Sequence, residues 1–503
     1  MKNILLFGAG KSATVLIDYL LKNATTENWK IEVVDADIKL AESKIKNSPH
    51  ALAVSFDIND ETERNKYISN ADIVISLLPP ALHILVAKSS IEKNKNLLTA
   101  SYIDKEIENL RPEIEKKQLL FLCEMGLDPG IDHMSAMKMI DEIRATGGEI
   151  KSFHSHCGGL VAPESDDNPW HYKISWNPKS VVLAGKSGAH FLENSIEKYL
   201  PYEELFDNER GVDVPGLGML GWYPNRDSVS YAKLYNLQNA GTFIRTTLRH
   251  PDFMYGWKNV VDLKLTDETP QYKTNNKSLY EVFKEHMDKY GFSDWLQQKL
   301  TKRFSQTKDL MENLMKLAEA EQEAEMEGEK IPDSFLTAEE NGNLEKVQID
   351  EVKNKVAALL AHKMQESNLT LKQLFYLGLD DKETIISKGV CSAAEVLQFA
   401  IEKKLALKPG DKDMIVMMHE IKYEVRSAKY EIRSSLVVKG EDSLRTAMAK
   451  TVGLPLGIAA KNILNGKIKL TGLHIPIAME IYEPVLKELE EYDVKFKEEI
   501  INA

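Results

Sequence analysis

The chain has 503 residues, enough for two or three domains with full cores, and its 43% hydrophobic and 28% charged content is that of an ordinary globular protein. An excess of 77 acidic over 64 basic residues gives a formal charge of −13, and no basic stripe interleaved with aromatics offsets it, which excludes a general nucleic-acid binder. No apolar run is long enough to span a bilayer, no signal-peptide h-region follows Met1-Lys2, and Cys123, Cys157 and Cys391 lack CxxC spacing, so neither a membrane nor a disulfide framework is expected and the predicted location is the cytoplasm.

Met1 to Ala13 reads MKNILLFGAGKSA, an apolar strand running into Gly8-Ala9-Gly10 and a helix. Such a turn holds a pyrophosphate: Gly8 allows the tight turn, Gly10 lets the backbone approach the phosphates, and small Ala13 lets helix pack on strand. Ile31 to Asp35 reads as a second strand ending in an acid, at the usual distance for a carboxylate that bonds the adenosine ribose. The charge of Asp35 would repel a 2′-phosphate and favours NAD over NADP. Asp37 competes for the same role, and a βα-turn cap is the structural alternative for either acid. Strand candidates at 3–8, 31–35, 51–55, 72–77, 96–99 and 119–123 alternate with helical segments, the pattern of a parallel sheet covered on both faces. Three strand ends then carry Ser76-Leu77-Leu78-Pro79-Pro80, Thr99-Ala100-Ser101-Tyr102 and Glu124-Met125-Gly126-Leu127-Asp128-Pro129-Gly130 on the rim where ligands bind.

From about 130 to 280, short strands, Gly/Pro turns and aromatics indicate an α+β domain that bears a site. Arg226 falls in a turn, whereas Arg245 and Arg249 are four apart with the alternation of a strand. Residues 281–405 are rich in Leu, Lys, Glu and Met at helical spacing, with an acidic run at 319–327 that reads as a solvated helix or loop. Met414–Met418 and Tyr423–Val425 read as strands, and Thr446–Asn465 as a helix pair broken at Gly453-Leu454-Pro455. No metal is expected: no HxxxH pair lies on a helix, and Glu164, Asp166 and Asp167 lack a partner histidine cluster.

These blocks, taken with GLDPGIDHM, CGGLVAPESDDNPWHYKISWNP, GWYPNRDS, TLRH, DKDMIVM and MAKTVGLP, occur in an order that resembles the glutamate-forming saccharopine dehydrogenases, also called saccharopine reductases. The resemblance covers nearly the whole chain and is weakest over 281–405, where the acidic insert at 319–345 looks particular to this branch. It implies an α/β architecture with an N-terminal Rossmann doubly wound parallel sheet over 1–128. A mixed α/β saccharopine-binding domain would cover 129–280 and 406–445, with an inserted α-helical domain over 281–405 and C-terminal helices of 446–503 packing near the Rossmann part. The implied activity interconverts saccharopine with L-glutamate and 2-aminoadipate 6-semialdehyde by hydride transfer with NAD or NADP, in the monofunctional form.

On the matching positions, the dinucleotide would contact Gly8, Gly10, Lys11, Ser12, Ala13, Asp35, Asp37, Ser76, Leu77, Leu78, Pro79, Ser101, Leu127 and Pro129. Saccharopine, with three carboxylates and a secondary amine, would contact Ser101, Tyr102, Asp128, Arg226, Thr247, Leu248 and Arg249. Proton handling falls to Asp128, then Tyr102, then Cys157, with His133, His154 and His156 near them in sequence. Trp170 and Trp176 are candidates for a platform under the substrate or for a domain contact, and Lys173 is a candidate carboxylate ligand. Two alternatives are a carboxynorspermidine or carboxyspermidine dehydrogenase, whose substrate needs fewer arginines, and a nucleotide-sensing homologue without turnover. A homodimer is expected from exposed sheet edges.

Overall fold

Short apolar runs build the first sheet: β1 (Lys2–Phe7), β2 (Trp29–Val34), β3 (Ala51–Val54), β4 (Ile73–Ser76), β5 (Asn96–Thr99) and β6 (Leu120–Leu122). The computed structural model describes residues 1–207, 210–292, 294, 334–338, 344–348 and 368–502. Helices α1 (Ala13–Glu27), α2 (Ile38–Ile45), α3 (Glu61–Asn70), α4 (His83–Glu92), α5 (Lys105–Glu108) and α6 (Arg111–Lys116) connect the strands. All pairings are parallel in the order β6-β5-β4-β1-β2-β3, and strand Gly472–His474 extends the sheet beyond β6. The chain reverses direction across the sheet between β1 and β4, so the ligand crevice of this doubly wound sheet opens beyond their carboxyl ends.

A second, ten-stranded mixed sheet follows α7 (Ile131–Ala145). It contains β7 (Glu149–Val161), β8 (Ala189–Glu193), β9 (Ile196–Leu200), β10 (Gly211–Val214), β11 (Gly218–Pro224), β12 (Arg226–Asp227) and β13 (Thr242–Arg249). Short helices α8 (Pro178–Val182) and α9 (Val229–Leu234) lie between them, and α10 (Pro251–Asp262) follows β13. The central order is β10-β11-β13-β7, continued by strands Asp413–Val425, Ala428–Lys439 and Lys497–Asn502. The two strands read within 414–425 are one continuous strand with an irregularity between Lys422 and Tyr423. Both sheets belong to one compact unit, Met1–Asp167 with His171–Met254 and Leu405–Ala503, and a second unit holds Asn168–Trp170 and Tyr255–Lys404.

Helix Ala447–Leu464 runs unbroken through Gly453-Leu454-Pro455, against the expectation of a broken pair. Tertiary packing overrides propensity here. A Cβ on Gly453 would stand 2.7 Å from the Leu16 nitrogen and one on Gly457 2.5 Å from the Tyr19 ring, so both glycines admit α1 against the helix. In the second unit, described elements of 281–405 include short antiparallel pairs Tyr272–Lys273 with Val390–Cys391 and Lys277–Ser278 with Ile385–Ile386, and a ladder joining Ser334–Ala338 to Leu344–Gln348. The stretch is thus not wholly helical, and the acidic run at 319–327 lies outside the described residues. No helix among the described residues is long and apolar enough to cross a membrane.

Candidate functional site

The glycine turn is shaped for close approach. Gly8 holds φ +98, and a Cβ there would meet the Leu77 carbonyl at 2.8 Å, so the ends of β1 and β4 touch only because position 8 is glycine. Around Gly10 no atom lies within 4 Å of a Cβ position, which leaves the turn open above its backbone. Ser12, the N-cap of α1, makes no side-chain cap bond, and the Ala13 and Thr14 N–H groups reach back to the Gly10 and Lys11 carbonyls, which closes the turn into the start of α1. The turn therefore fits a dinucleotide pyrophosphate. Asp35 is a strut within it: one carboxylate oxygen accepts the Ala9 N–H at 2.7 Å and the other the Asp37 N–H at 2.9 Å. Asp37 caps α2 through the N–H groups of Lys39 and Leu40.

Beyond β4 and β5, buried His83 joins two predicted cofactor residues. Its Nδ1 is 2.8 Å from Ser76 Oγ and its Nε2 2.8 Å from Ser101 Oγ. Burial pushes its pKa down to about 4, so the ring is neutral, with one nitrogen donating and the other accepting. Leu77 donates its N–H to the Phe7 carbonyl, and Pro79 starts the following 3-10 turn.

The loop after β6 folds back on itself, since Gly126 donates to Pro129 and Ile131 to Gly126. Gly130, at φ +146, approaches so closely that a Cβ would lie 2.0 Å from the Gly126 oxygen. This fold packs Leu127 and Pro129 inward and presents Asp128 beside Tyr102, whose hydroxyl donates to Asp128 Oδ1 at 3.3 Å. Arg245, buried on β13, donates from Nη2 to Asp128 Oδ1 at 2.6 Å and to Asp132 Oδ2 at 2.8 Å. Asp132 also accepts the Gly130 N–H at 2.6 Å. Behind this pair, His133 bonds Glu124 through Nε2 at 2.8 Å and Tyr235 through Nδ1 at 2.5 Å, and Tyr231 donates to Glu124 at 3.0 Å.

Burial, aided by the Asp132 charge and opposed by Arg245, raises the Asp128 carboxyl to about 6. Asp132 moves the other way: burial opposes its charge, but His133, Arg245 and the Gly130 N–H hold it below the ordinary carboxylate value. Burial raises the Tyr102 hydroxyl, which stays a neutral donor, and raises Cys157 well above an ordinary thiol, with Asp128 and Asp132 adding to the rise. Cys157 is therefore a thiol, without the thiolate that nucleophilic or proton-accepting work requires.

Strand periodicity sorts the rest. Arg245, Thr247 and Arg249 share one face of β13, and Ser155 and Cys157 of β7 lie beside Arg245 and Thr247 on it. The Leu248 side chain points to the opposite face, as do those of His154 and His156, which stack on each other there while His156 bonds Thr246 at 2.7 Å. Of the three histidines, only His133 stands behind the Asp128 group.

The arginines differ in their counter-ions. Arg245 is saturated by two aspartates. Arg249 is 4% exposed, lies over the rings of Tyr172 and Phe253, and spends Nη1 on the Leu248 carbonyl. Its Nε is buried without a hydrogen-bond partner, and among the described residues it forms no ion pair with a carboxylate. Arg226, at the mouth, places its guanidinium 5.1 Å from the centre of the Tyr102 ring.

Three expectations change. Trp170 is core: it packs edge-on against Trp257 and donates to the Gln373 carbonyl, all within the second unit. Lys173 is buried between Asp167 and Asp411 at 2.9 and 2.7 Å, so its charge is spent inside the protein. Asp166 does have a histidine partner, since His171 Nδ1 lies 2.5 Å from its Oδ2. Sequence reading missed Glu124, Asp132 and His83 and left Arg245 unassigned; the one signal available for Arg245 was its two- and four-residue spacing from Thr247 and Arg249.

Residues 4–122 match the family model described as the saccharopine dehydrogenase NADP binding domain, and residues 126–494 the saccharopine dehydrogenase C-terminal domain. The chain belongs to the saccharopine dehydrogenase family. It is 31% identical to a Saccharomyces cerevisiae protein named saccharopine dehydrogenase (NADP(+), L-glutamate-forming), over 99% of each chain. It is 32% identical to the Bos taurus mitochondrial alpha-aminoadipic semialdehyde synthase, over 97% of this chain and 47% of that protein. The solved apo structure of saccharopine dehydrogenase (L-Glu forming) from Saccharomyces cerevisiae superposes over 100% of both chains with a TM-score of 0.77 at 29% identity. The expected preference for NAD finds no support in a family whose matched model is an NADP binding domain, and both oxygens of Asp35, on which that preference rested, are engaged by the turn's own backbone.

Proposed function

We propose that this saccharopine dehydrogenase oxidises saccharopine with NADP, releasing L-glutamate and 2-aminoadipate 6-semialdehyde, and runs the reverse condensation when metabolite levels favour it. One observation carries the substrate reading: a buried Arg249 guanidinium without a carboxylate partner among the described residues stands on the same strand face as the Arg245–Asp128–Tyr102 group. A cation so placed calls for an anion from the ligand, because a buried charge is stable only when paired. Arg226 offers a second cation for a substrate with three carboxylates, and Thr247 shares the face of Arg249. Arg245 is excluded as a carboxylate receiver because Asp128 and Asp132 already neutralise it.

The bound nicotinamide supplies the hydride acceptor. The carbon that becomes the aldehyde loses a hydride, the secondary amine loses its proton, and water adds to the resulting imine before the C–N bond breaks toward glutamate. Asp128 takes the amine proton and returns it to the departing nitrogen, since a carboxyl raised to about 6 exchanges a proton near neutral pH. Tyr102 donates its hydroxyl to Asp128 and orients it. Arg245 and Asp132 hold the carboxylate in place, and Cys157 fills the floor as a small neutral side chain.

The NADP preference is supported by the relatives' names and by two exposed cations, Lys11 in the glycine turn and Lys39 in the first turn of α2, available to a 2′-phosphate. Pairing into a homodimer is supported by exposed Ile196 and Tyr199 on the edge strand β9, and size-exclusion chromatography with light scattering tests it. Turnover followed by nicotinamide absorbance tests the whole assignment. Saccharopine with NADP should react, carboxynorspermidine should not, and the inverse result would overturn the reading. A large preference for NAD would return Asp35 to the ribose.

A further inference from the structure

His171 stands in the left-handed region at φ +47, which a residue other than glycine holds only against strain. Its ring is gripped on three sides. Nδ1 lies 2.5 Å from Asp166 Oδ2, Nε2 lies 3.2 Å from Asp252 Oδ2, and the His250 ring stacks on it with centroids 4.0 Å apart.

The two carboxylate contacts differ in kind. Asp166 makes a short, tight hydrogen bond, whereas Asp252 stands at the long end of the N–H···O range. The Asp252 separation is just short of the edge of a metal tetrahedron, where bonds of about 2.0–2.2 Å set neighbouring ligand atoms about 3.3–3.6 Å apart, so a small outward shift of the two ligand atoms would admit an ion. One ligand atom from each of His171, His250 and Asp252 lies within 4.8 Å of the other two. Asp166 completes the pattern, because a metal-bound imidazole gives its second N–H to a carboxylate that fixes tautomer and ring orientation. The other oxygen of Asp166 is buried with no hydrogen-bond partner, so this carboxylate is given over to His171. His250 Nδ1 accepts the Asp252 backbone N–H at 3.2 Å, a long contact that a metal on that nitrogen would replace.

We propose that His171, His250 and Asp252 form a three-ligand site for a divalent transition metal of the zinc class, with Asp166 as the outer partner of His171. Two imidazoles and one carboxylate suit zinc or cobalt rather than magnesium or calcium, which take oxygen ligands. The site ties the loop that carries Tyr172 to the junction of β13 and α10. The same two segments frame the Arg249 guanidinium, which precedes His250 and lies over the Tyr172 and Phe253 rings. The metal's role is to hold that frame.

The test uses untagged full-length protein stripped with a chelator, titrated with Zn²⁺ by calorimetry and with Co²⁺ by visible absorbance. Wild type should take one equivalent per chain and show the visible bands of four-coordinate cobalt. His171→Gly suits φ +47 and keeps the fold, as circular dichroism will check; it should lose that equivalent. Asp166→Asn should weaken binding by about 10–100-fold. Zinc should raise the melting temperature of wild type and leave that of His171→Gly unchanged. Equal zinc uptake by wild type and His171→Gly overturns the proposal, and so does a wild type that binds none, in which case His171 is only a protonated partner of two aspartates. Metal stoichiometry is read without turnover, so failure of the saccharopine assignment would leave this result standing.

Discussion

Replacing Arg249 by Met separates two effects that most active-site substitutions confound. Methionine keeps an unbranched stem between Tyr172 and Phe253 and deletes a cation that has no carboxylate partner among the described residues. A hydrogen bond to a charged group contributes about 1.5–3 kcal/mol, and a carboxylate gripped by the guanidinium fork makes two. The substrate complex therefore loses about 3–6 kcal/mol, which at about 1.4 kcal/mol per decade lowers kcat/KM for saccharopine about 10²–10⁴-fold. The dinucleotide KM should stay within about twofold, because the glycine turn belongs to the other sheet. The free enzyme should melt no lower than wild type, since relieving one orphaned donor recovers about 1–3 kcal/mol. Steady-state kinetics at varied saccharopine, paired with a thermal melt, measures both. An unchanged kcat/KM, or a collapse of stability with normal kinetics, would refute the assignment of Arg249 to a substrate carboxylate.

Arg245→Met should behave in the opposite way: it strands Asp128 and Asp132, and losing one partner of a buried pair costs about 3–5 kcal/mol, so a melting temperature equal to wild type would contradict the role given to Arg245. Because Asp128 must be ionised to accept the amine proton, kcat for saccharopine oxidation should climb as pH rises through about 6, and Asp132→Asn, by removing a charge that raises Asp128, should move that limb to lower pH; a move upward would be fatal. The same shift has a stability sign: a carboxyl at about 6 in the folded chain against 3.8 ordinarily stabilises the fold fully below pH 3.8 and loses that contribution as pH rises through 6, a dependence that Asp128→Asn should reduce in melts across this range. Gly10→Ala adds a Cβ with no protein atom within 4 Å and should raise the dinucleotide KM at unchanged stability, whereas Gly8→Ala, strained at φ +98 and 2.8 Å from the Leu77 oxygen, should lose both. Cys157→Ala should keep kcat within about tenfold of wild type, and a loss beyond about a hundredfold would restore a chemical role for the thiol.

The parts of the site legible in the sequence are those whose constraint is local. Gly8 and Gly10 declare a turn that only glycine can make beside a ligand, and strand ends in an alternating β/α chain must gather on one rim. Long-range pairings were hidden because they depend on register. Asp132 and His133 are ordinary residues of the first turn of α7 until folding brings Arg245 from 113 positions away and Glu124 across the loop. His154 and His156 look as close to the site as Cys157, and a period of two sends them through the sheet. The unbroken helix over Pro455 was hidden for a related reason, since the contact with α1 that stabilises it lies more than 400 positions away.

Arg245 and Arg249 show how much of function lies in counter-ions. They are the same residue type, on one strand, on one face, four positions apart, and both are buried. Nothing in their immediate neighbours distinguishes a structural guanidinium from a ligand-binding one. The distinction comes from α7, which brings Asp132 to Arg245, and from the loop before it, which adds Asp128. At Arg249 no such carboxylate arrives among the described residues; two aromatic rings enclose the charge instead. A substrate with several carboxylates can then supply the missing negative charge at one arginine while its amine meets the carboxyl held by the other.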